Sequence, residues 1–278
     1  MRKNRLITPV VKWVGGKRQL LDDIVPLLPK QITSYCEPFL GGGAVLFELQ
    51  PNTAIVNDIN TDLIQMYEVI RDNVDELIEV LGKHINDEEH FYSVRDWDRN
   101  KKKYEQLTKV ERAARIIYLN KTCYNGLFRV NNAGEFNTPF GHYKKPEIVN
   151  APTLRAVSDY FQKATLTFSS VDYEEVLTKI SKETFVYLDP PYDPVSDTAK
   201  FTGYAKGGFD RTEQLRLKEC CDTLDKCGIK FMLSNSATDF IKEQYSSYNI
   251  TIVKAKRAVN SNAAKRGHVD EVIIRNYD

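Results

Sequence analysis

The stretch Phe185-Val186-Tyr187-Leu188-Asp189-Pro190-Pro191-Tyr192 decides the fold class of this chain. Its first four residues are apolar or aromatic β-formers and predict a buried strand. The strand delivers an acid at its carboxyl end, where ligands bind in open α/β sheets. Two prolines follow, and because proline has no backbone N–H they end strand pairing and stiffen the chain beside the acid. An active site is one interpretation, and a strand that merely ends in a rigid turn is the other until neighbouring motifs are considered.

Segments upstream of this stretch begin an alternating α/β pattern. A strand at 34–39 runs into a glycine-rich turn at 40–43 and then a helix, which is the entrance to a nucleotide-type site. A second strand at 53–58 ends in Asp58, at about the 20-residue separation at which a carboxylate binds ribose hydroxyls. An acid there could also cap a helix. The motif G-x-G-x-x-G is not met, which favours an adenosine-bearing cofactor other than a nicotinamide.

The α/β pattern resumes in the second half of the chain. Further strands are predicted at 166–172, 229–234, 250–253 and 271–275, with helices at 173–179 and around 217–224. Together with the first strands they predict one discontinuous α/β domain, formed by residues 1–60 and 150–278. A lid is predicted from Phe201, Gly203, Tyr204, Gly207 and Gly208, and a mobile basic loop from residues 260–267.

Residues 61–149 have a different pattern and predict an insertion. Up to about residue 120, apolar side chains recur at helical spacing with no strand signal, and Gly82 is a plausible helix end. Residues 118–145 then interleave aromatic and cationic side chains around the hairpin-type turn 131–134. Such a hairpin suits a DNA groove, where arginine contacts guanine, although an ordinary structural hairpin is the alternative.

Composition and charge narrow the class of protein. The net charge is +1, but the first 18 residues hold six Lys or Arg and no acid, and residues 250–269 are also basic, which weakly favours nucleic acid as a partner. Five cysteines without a C-x-x-C pair and four scattered histidines argue against a disulfide framework and against a metal site. No apolar run approaches a membrane span and no signal peptide is evident, so we expect a cytoplasmic protein.

Six motifs, taken in chain order, resemble those of the Dam-type (D12 class, alpha group) site-specific DNA adenine N6-methyltransferases. They are K-W-x-G-G-K, E-P-F-x-G-G-G, V-N-D, Y-N-G-L-x-R, G-E-F-N-x-P-F-G and D-P-P-Y. The resemblance spans nearly the whole chain, from Lys12 to Glu271. The resemblance implies a Rossmann-like S-adenosylmethionine-dependent methyltransferase sheet with an inserted helical target-recognition domain, residues 61–149, that carries a β-hairpin. It also implies methyl transfer from S-adenosylmethionine to adenine N6 in double-stranded DNA, commonly within GATC, with S-adenosylhomocysteine as product and no metal.

The same resemblance implies which residues form the site. The catalytic set is Asp189, Pro190, Pro191 and Tyr192. The cofactor-contacting set is Trp13, Lys17, Glu37, Phe39, Gly41, Gly43, Asp58, Asp172 and Asp189. The DNA-contacting set is Lys12, Tyr124, Asn125, Leu127, Arg129 and Pro139. His142 stands where members of the family often carry an arginine, so its role is left open.

The chemistry of adenine supports this assignment independently of the resemblance. The N6 lone pair is delocalised into the ring, so a methylase needs two acceptors that hold the N6 hydrogens and free the pair; the Asp189 carboxylate and the Pro190 carbonyl fit this need. Tyr192 offers a stacking face. Within a duplex the base must be flipped out, and Tyr124 is a candidate to fill the gap.

Two alternatives stay open at this point. One is a methyltransferase that acts on RNA or on a protein glutamine, since Pro-Pro-Tyr sites also serve amide nitrogens. The other is a DNA-binding relative that has lost catalysis. We further expect a monomer, encoded by a bacterium or a phage and associated with the nucleoid.

Overall fold

Seven strands form one sheet in the computed structural model, which describes residues 3–13, 15–131, 133–195, 208–256 and 268–278. The strands are β1 (Ser34–Glu37), β2 (Thr53–Asn57), β3 (Thr165–Ser169), β4 (Thr184–Leu188), β5 (Phe231–Ser236), β6 (Asn249–Lys256) and β7 (His268–Arg275). Each of the seven strands predicted for the α/β sheet is present, with ends that shift by a few residues.

The strand order is β3-β2-β1-β4-β5-β7-β6. The five strands from β3 to β5 are parallel, and β7 is antiparallel to both β5 and β6. In such a doubly wound sheet the chain reverses its direction of winding between β1 and β4, and ligands bind outside the carboxyl ends of the strands at that point. The predicted α/β fold with a Rossmann-like sheet is confirmed.

The helices lie on both faces of the sheet and in the segment between β2 and β3. They are α1 (Leu21–Ile24), α2 (Ala44–Leu49), α3 (Thr61–Asp72), α4 (Val74–Leu81), α5 (Glu88–Arg95), α6 (Lys101–Gln106), α7 (Lys109–Thr122), α8 (Ala151–Lys163), α9 (Tyr173–Leu177), α10 (Arg211–Lys226) and α11 (Asp239–Gln244). The helical character predicted for 61–120 is confirmed, and Gly82 does cap α4. Helices α8 and α11 were not predicted; α8 begins with Asn150 as its cap and a proline in its first turn.

Two apolar clusters hold these layers together. One packs α3, α7 and α8 with Val56 of β2 and continues to Phe91, Phe136 and Phe140. The other packs α9, α10 and α11 against the opposite face, around the buried Val186 of β4. Residues 61–140 therefore share a continuous apolar core with the sheet. The division into one domain at 1–60 with 150–278 and another at 61–149 stays a prediction.

The segment predicted as a hairpin pairs only at isolated points. Antiparallel bridges join Cys123 to Phe140 and Val130 to Phe136, and no continuous strand forms in the described residues between them. Asn132, in the turn, lies outside the described residues, as do the predicted basic loop and all of the predicted lid except Gly208. Among the helices that are described, none has the length and apolar character that crossing a bilayer would require.

Candidate active site

Three predicted site acids stand at the carboxyl ends of neighbouring parallel strands. Glu37 ends β1, Asp58 follows β2, and Asp189 follows β4. Because β1 lies between β2 and β4, the sheet register brings these acids to one edge. A single edge with three carboxyl groups attracts ligands that carry positive charge or several hydroxyl and amino donors.

Asp189 forms an ion pair with Lys17, at 2.7 Å between Oδ1 and Nζ, although only 4% of the lysine side chain and 19% of the acid are exposed. The same ammonium group donates to the Gly15 carbonyl and lies 4.5 Å from the centre of the Tyr192 ring. The Tyr192 hydroxyl donates to Glu271 Oε2 at 2.8 Å. The Asp-Pro-Pro-Tyr segment is thus held by the Lys12–Lys17 loop on one side and by β7 on the other.

Burial shifts the pKa of each of these acids upward. It raises the pKa of Glu37 to about 8. The 2.8 Å hydrogen bond from the Tyr35 hydroxyl lowers this pKa, and the negative charge of Asp189 raises it further. Burial also raises the pKa of Asp189 to about 6, although the nearby Lys17 opposes the change. The pKa of Asp58 is raised for the same first reason. Buried carboxyls with raised pKa values are typical of functional sites.

The glycine turn after β1 is shaped to lie close to other groups. Gly41 has φ +49°, and a Cβ placed there would approach Cδ1 of Trp13 to 2.9 Å. Its N–H donates to Asp58 Oδ2 at 2.9 Å, and its carbonyl accepts from Tyr67 Oη at 2.9 Å. Gly43, with φ +67°, is the N-cap residue of α2. Asp58 is therefore not a helix cap, because Asn60 caps α3 instead, and its carboxylate ties the turn to the end of β2.

Phe39 and Asp172 lie in a second group, next to this one. The Phe39 ring packs against Tyr173 at 5.1 Å, and Asp172, which caps α9, forms an ion pair with Arg216 of α10. The buried Asn57 links the two groups, since its Nδ2 donates to the carbonyls of Pro38 at 3.1 Å and Val171 at 3.0 Å.

Four of the six predicted DNA-contacting residues are joined by hydrogen bonds. Lys12 Nζ donates to the Asn125 carbonyl at 2.6 Å, and the Tyr124 N–H donates to the Pro139 carbonyl at 2.8 Å. Tyr124 exposes 55% of its surface at the tip of this arrangement. Asn125 has φ +57°, so the chain turns sharply there and leaves the aromatic ring on the outside.

Arg129 and Leu127 lie further along the same segment. The exposed Arg129 donates from Nε to Asn137 Oδ1 at 2.8 Å, and its carbonyl accepts from the Asn137 N–H at 2.9 Å. The Leu127 carbonyl accepts from Thr138 Oγ1 at 2.6 Å. Pairing through Nε pins the plane of the guanidinium group, and no described residue accepts from its two terminal nitrogens. The two terminal nitrogens form the edge of the guanidinium group that can donate to two neighbouring acceptors at once.

Asp98 and Arg99 support this segment from the helical side. Asp98 Oδ2 accepts from the Phe136 N–H at 2.8 Å and from the buried Arg115 at 2.7 Å, while Arg99 donates to the Phe136 carbonyl at 2.6 Å. The two side chains thus bond both polar backbone groups of Phe136, as a neighbouring strand would. Their presence accounts for a segment that keeps its shape with only isolated bridges.

Asn120 of α7 joins the candidate DNA-contacting turn to the Lys12–Lys17 loop. Its Oδ1 accepts from the Lys12 N–H at 2.8 Å, and its Nδ2 donates to the carbonyls of Lys12 at 2.7 Å and Gly126 at 3.1 Å. Trp13 also stacks on Phe128, with 4.7 Å between ring centres. One short loop therefore contacts the glycine turn, Asp189 and the turn that bears Tyr124.

Several residues of the site were not predicted from the sequence. Asn57 and Asn120 are buried amides whose sequence context resembles that of any polar residue in a strand end or a helix. Ile59 directly follows Asp58 and exposes 64% of its surface, and an exposed aliphatic group beside a nucleotide-type site could have been found from its position after the acid. His142 has φ +51° and places its ring 4.9 Å from that of Phe140 on the exposed side of the segment.

Similarity to known proteins identifies the family of this chain. A family model described as D12 class N6 adenine-specific DNA methyltransferase matches residues 13–259. The chain is 40% identical over 280 residues to the Type II methyltransferase M1.LlaDCHI of Lactococcus lactis subsp. cremoris, covering 100% of this chain and 98% of that protein. It is 43% identical over 292 residues to the Type II methyltransferase M.MjaIII of Methanocaldococcus jannaschii, covering 98% and 99% of the two chains. The DNA adenine methylase of Escherichia coli K12 is 36% identical over 278 residues, covering 98% and 95%.

Proposed function

The chain belongs to the D12 class N6 adenine-specific DNA methyltransferases, and we propose that it methylates adenine within GATC by flipping the base into its Asp-Pro-Pro-Tyr site. As an adenine-specific DNA methyltransferase, it acts on DNA and belongs to a class of enzymes that use S-adenosylmethionine. One observation carries the proposal: Asp189 stands at the carboxyl end of β4, where the winding of the sheet reverses, and is held there by the buried Lys17.

The proposed chemistry assigns distinct tasks to the residues of this segment. The Asp189 carboxylate and the Pro190 carbonyl accept the two hydrogens of adenine N6 and so favour the geometry in which its lone pair is free. As positive charge develops on N6, the adjacent carboxylate stabilises it and receives a proton. Tyr192, held by Glu271, offers a ring face to the base.

The residues at the strand ends fit S-adenosylmethionine, which supplies an activated methyl group when bound. Glu37 and Asp189 provide negative charge for its positive groups, and Asp58 is placed at the end of β2 for ribose hydroxyls. The close approach of Trp13 to Gly41 supports the assignment of both to the wall of this site. We assign Ile59, together with the group formed by Phe39 and Asp172, to contacts with the adenine ring of the cofactor.

The exposed turn that bears Tyr124, and the segment that follows it up to Pro139, are suited to binding the DNA substrate. We assign Lys12, Tyr124, Asn125, Leu127, Arg129 and Pro139 to contacts with the duplex around the flipped adenine. Lys12, Tyr124, Arg129 and Pro139 are exposed, and Asn125 and Leu127 are partly exposed. This exposure, and the bonds that connect Lys12 to Asn125 and Tyr124 to Pro139, support a single contact surface. We further propose that the protein acts on DNA as a monomer in the cytoplasm.

Affinity for S-adenosylmethionine should rise with pH, because the ligand is cationic and the buried acids are partly neutral in its absence. As pH increases, Asp189 with a pKa of about 6 and then Glu37 with a pKa of about 8 become ionised and attract the ligand. We expect calorimetry to show binding about tenfold tighter at about pH 7.5 than at about pH 5.5, a range in which the amino group of the ligand stays largely protonated. Glu37→Gln should remove the upper part of this rise.

The product S-adenosylhomocysteine provides the control, since it lacks the sulfonium charge and should show a weaker dependence on pH. Glu37→Gln should also raise the melting temperature of the ligand-free protein at alkaline pH. The reason is that a folded-state pKa above the unfolded value makes ionisation oppose folding as pH rises from about 4.5 to above 8. An affinity for S-adenosylmethionine that does not rise over this range, or a Glu37→Gln profile identical to that of the unmodified enzyme, would contradict the assignment of Glu37.

The recognition sequence can be tested in cells that lack adenine methylation of their own. DNA from cells that express the protein should resist a nuclease that is blocked by methylated GATC, and it should be cleaved by a nuclease that requires this methylation. DNA from cells that express Asp189→Asn should behave in the opposite way. Modification of adenine at another sequence would correct the GATC proposal and leave the enzyme class intact.

The two alternatives from the sequence can be tested in the same preparation. Incorporation of tritium from labelled S-adenosylmethionine into duplex DNA, with none into RNA or protein, would exclude an RNA or glutamine methyltransferase. Cofactor binding without any transfer to DNA would instead indicate a catalytically silent relative.

A further inference from the structure

Two buried amide side chains bond the backbone of the Asp-Pro-Pro-Tyr segment. Gln214 of α10 exposes 2% of its surface and Asn235 of β5 exposes none. Neither belongs to the set of residues assigned above. Burying an amide is costly unless its polar atoms are paired, so the hydrogen-bond partners of these two side chains indicate what they do.

The segment needs side-chain partners because it cannot continue the sheet. The pairing of β4 with β5 reaches only to Leu188 and Leu233, and Pro190 and Pro191 have no N–H with which to extend it. Gln214 Nε2 donates to the Pro191 carbonyl at 2.8 Å, and the Asp193 N–H donates to Asn235 Oδ1 at 3.0 Å. These two bonds hold the backbone immediately before and immediately after Tyr192.

The two amides are also bonded to each other. Asn235 Nδ2 donates to Gln214 Oε1 at 3.0 Å, and Asn235 Oδ1 accepts a second N–H, that of Ser236, at 2.9 Å. Backbone groups fix the orientation of both side chains: an N–H can only face the oxygen of Asn235, and a carbonyl can only face the nitrogen of Gln214. The result is a chain of hydrogen bonds with one direction, from Asn235 through Gln214 to the Pro191 carbonyl.

We propose that Gln214 and Asn235 are positioning residues that fix the backbone on both sides of Tyr192, so that Asp189 and the Pro190 carbonyl can accept from one amino group together. This inference rests on the function proposed above. Neither residue touches the substrate in this account. They act through the placement of the two acceptors, and a displacement of about 1 Å at such a site lowers rates by about 100-fold.

The far end of the segment has its own anchor, which separates this effect from general loosening. The buried Asp193 carboxylate accepts from Thr238 Oγ1 at 2.8 Å and from Arg211 Nε at 3.0 Å. Loss of the Gln214 amide would therefore leave the chain attached beyond Tyr192. The change would be confined to the backbone between Leu188 and Asp193.

Two substitutions at Gln214 distinguish positioning from packing. Gln214→Met has a similar shape and no hydrogen bonds, and its single-turnover methylation rate should fall by about 100-fold while affinities for cofactor and duplex change by less than about threefold. Gln214→Glu can replace the amide only when its carboxyl is protonated, with the O–H donating to Pro191 and the other oxygen accepting from Asn235. Its rate relative to the unmodified enzyme should therefore fall as pH rises.

Rates are compared at each pH with those of the unmodified enzyme, because Glu37 and Asp189 titrate in the same range. Gln162→Met is a control for the substitution itself, since Gln162 Nε2 also donates to a backbone carbonyl, that of Arg71 at 2.8 Å, but from an exposed position on α8. The rate of this variant should be unchanged. If Gln214→Met fails to fold, the pH profile of Gln214→Glu decides the question.

Asp189→Asn is measured in parallel to distinguish a failure of the positioning role from a failure of the proposed function. An inactive Asp189→Asn with a Gln214→Met variant of full activity would overturn the positioning role alone. A constant rate ratio for Gln214→Glu across the pH range would do the same. Full activity of Asp189→Asn would overturn both the positioning role and the proposed function.

Discussion

Replacement of Asp189 with asparagine is expected to lower the rate of methyl transfer by about 10³-fold or more. Asparagine keeps the shape of the side chain and an acceptor oxygen, but it cannot neutralise the positive charge that develops on N6. The substitution also removes the acidic partner of the buried Lys17, whose Nζ lies 2.7 Å from Asp189 Oδ1 in the unmodified protein. The pKa of Asp189 is raised by burial to only about 6, so the group lost at neutral pH is mainly the carboxylate.

The measurement is a single-turnover assay with tritiated cofactor at saturating cofactor and duplex, since Asp189 also lies in the cofactor-contacting set. Binding of duplex should stay measurable in the variant. Asp222→Asn is a suitable control, because Asp222 accepts from Lys218 at 2.7 Å on α10, remote from the site, and its loss should leave the rate unchanged. A variant at Asp189 that transfers methyl groups at the normal rate would remove this acid from the mechanism.

Arg129→Ala should cost about 1–3 kcal/mol of discrimination at one base pair, which is a factor of about 5 to 150 in relative rate or affinity. Asn137 holds Arg129 through Nε, so the two terminal nitrogens form a preset pair of donors that fits O6 and N7 of a guanine. Lysine cannot reproduce this fork, so Arg129→Lys should recover general affinity without recovering the preference.

Lys102→Ala is the matched comparison for this variant. Lys102 is an exposed residue of α6, and its charge should act only on phosphates. Its loss should weaken binding to all duplexes to a similar degree. It should also lower by about one the number of counterions released on binding, which the salt dependence of the affinity measures. Competition assays with duplexes that differ at single base pairs measure both effects. Equal losses for Arg129→Ala on cognate and scrambled duplexes would assign Arg129 to the backbone instead of a base.

Local sequence patterns predicted the elements of this fold because their causes are local. The continuous apolar run of β4 and the helical spacing from Leu63 to Ile117 depend only on near neighbours in the chain. The Asp-Pro-Pro-Tyr segment was found for the same reason, since an acid and two prolines directly follow the apolar run. Helix α8 was missed because Pro152 suggests a loop until Asn150 is recognised as its cap.

Polar partners were beyond the reach of sequence patterns because they join segments that are distant in the chain. Lys12 and Asn120 are 108 residues apart, and Tyr192 and Glu271 are 79 residues apart. The hairpin was expected to be a ladder, yet Asp98 and Arg99 supply the bonds that a strand would have made to Phe136. Nothing in the local composition near Phe136 indicates this support.

The sequence by itself determined the strands, most of the helices and the position of the Asp-Pro-Pro-Tyr segment at the end of β4. Only the tertiary structure decided that Lys17 pairs with Asp189, that Asn120 ties the candidate DNA-contacting turn to the Lys12–Lys17 loop, and that Gln214 bonds the Pro191 carbonyl. The physical reason is that apolar periodicity is a property of one segment. A buried hydrogen bond, by contrast, exists only when folding brings a donor and an acceptor from separate segments together and excludes water from both.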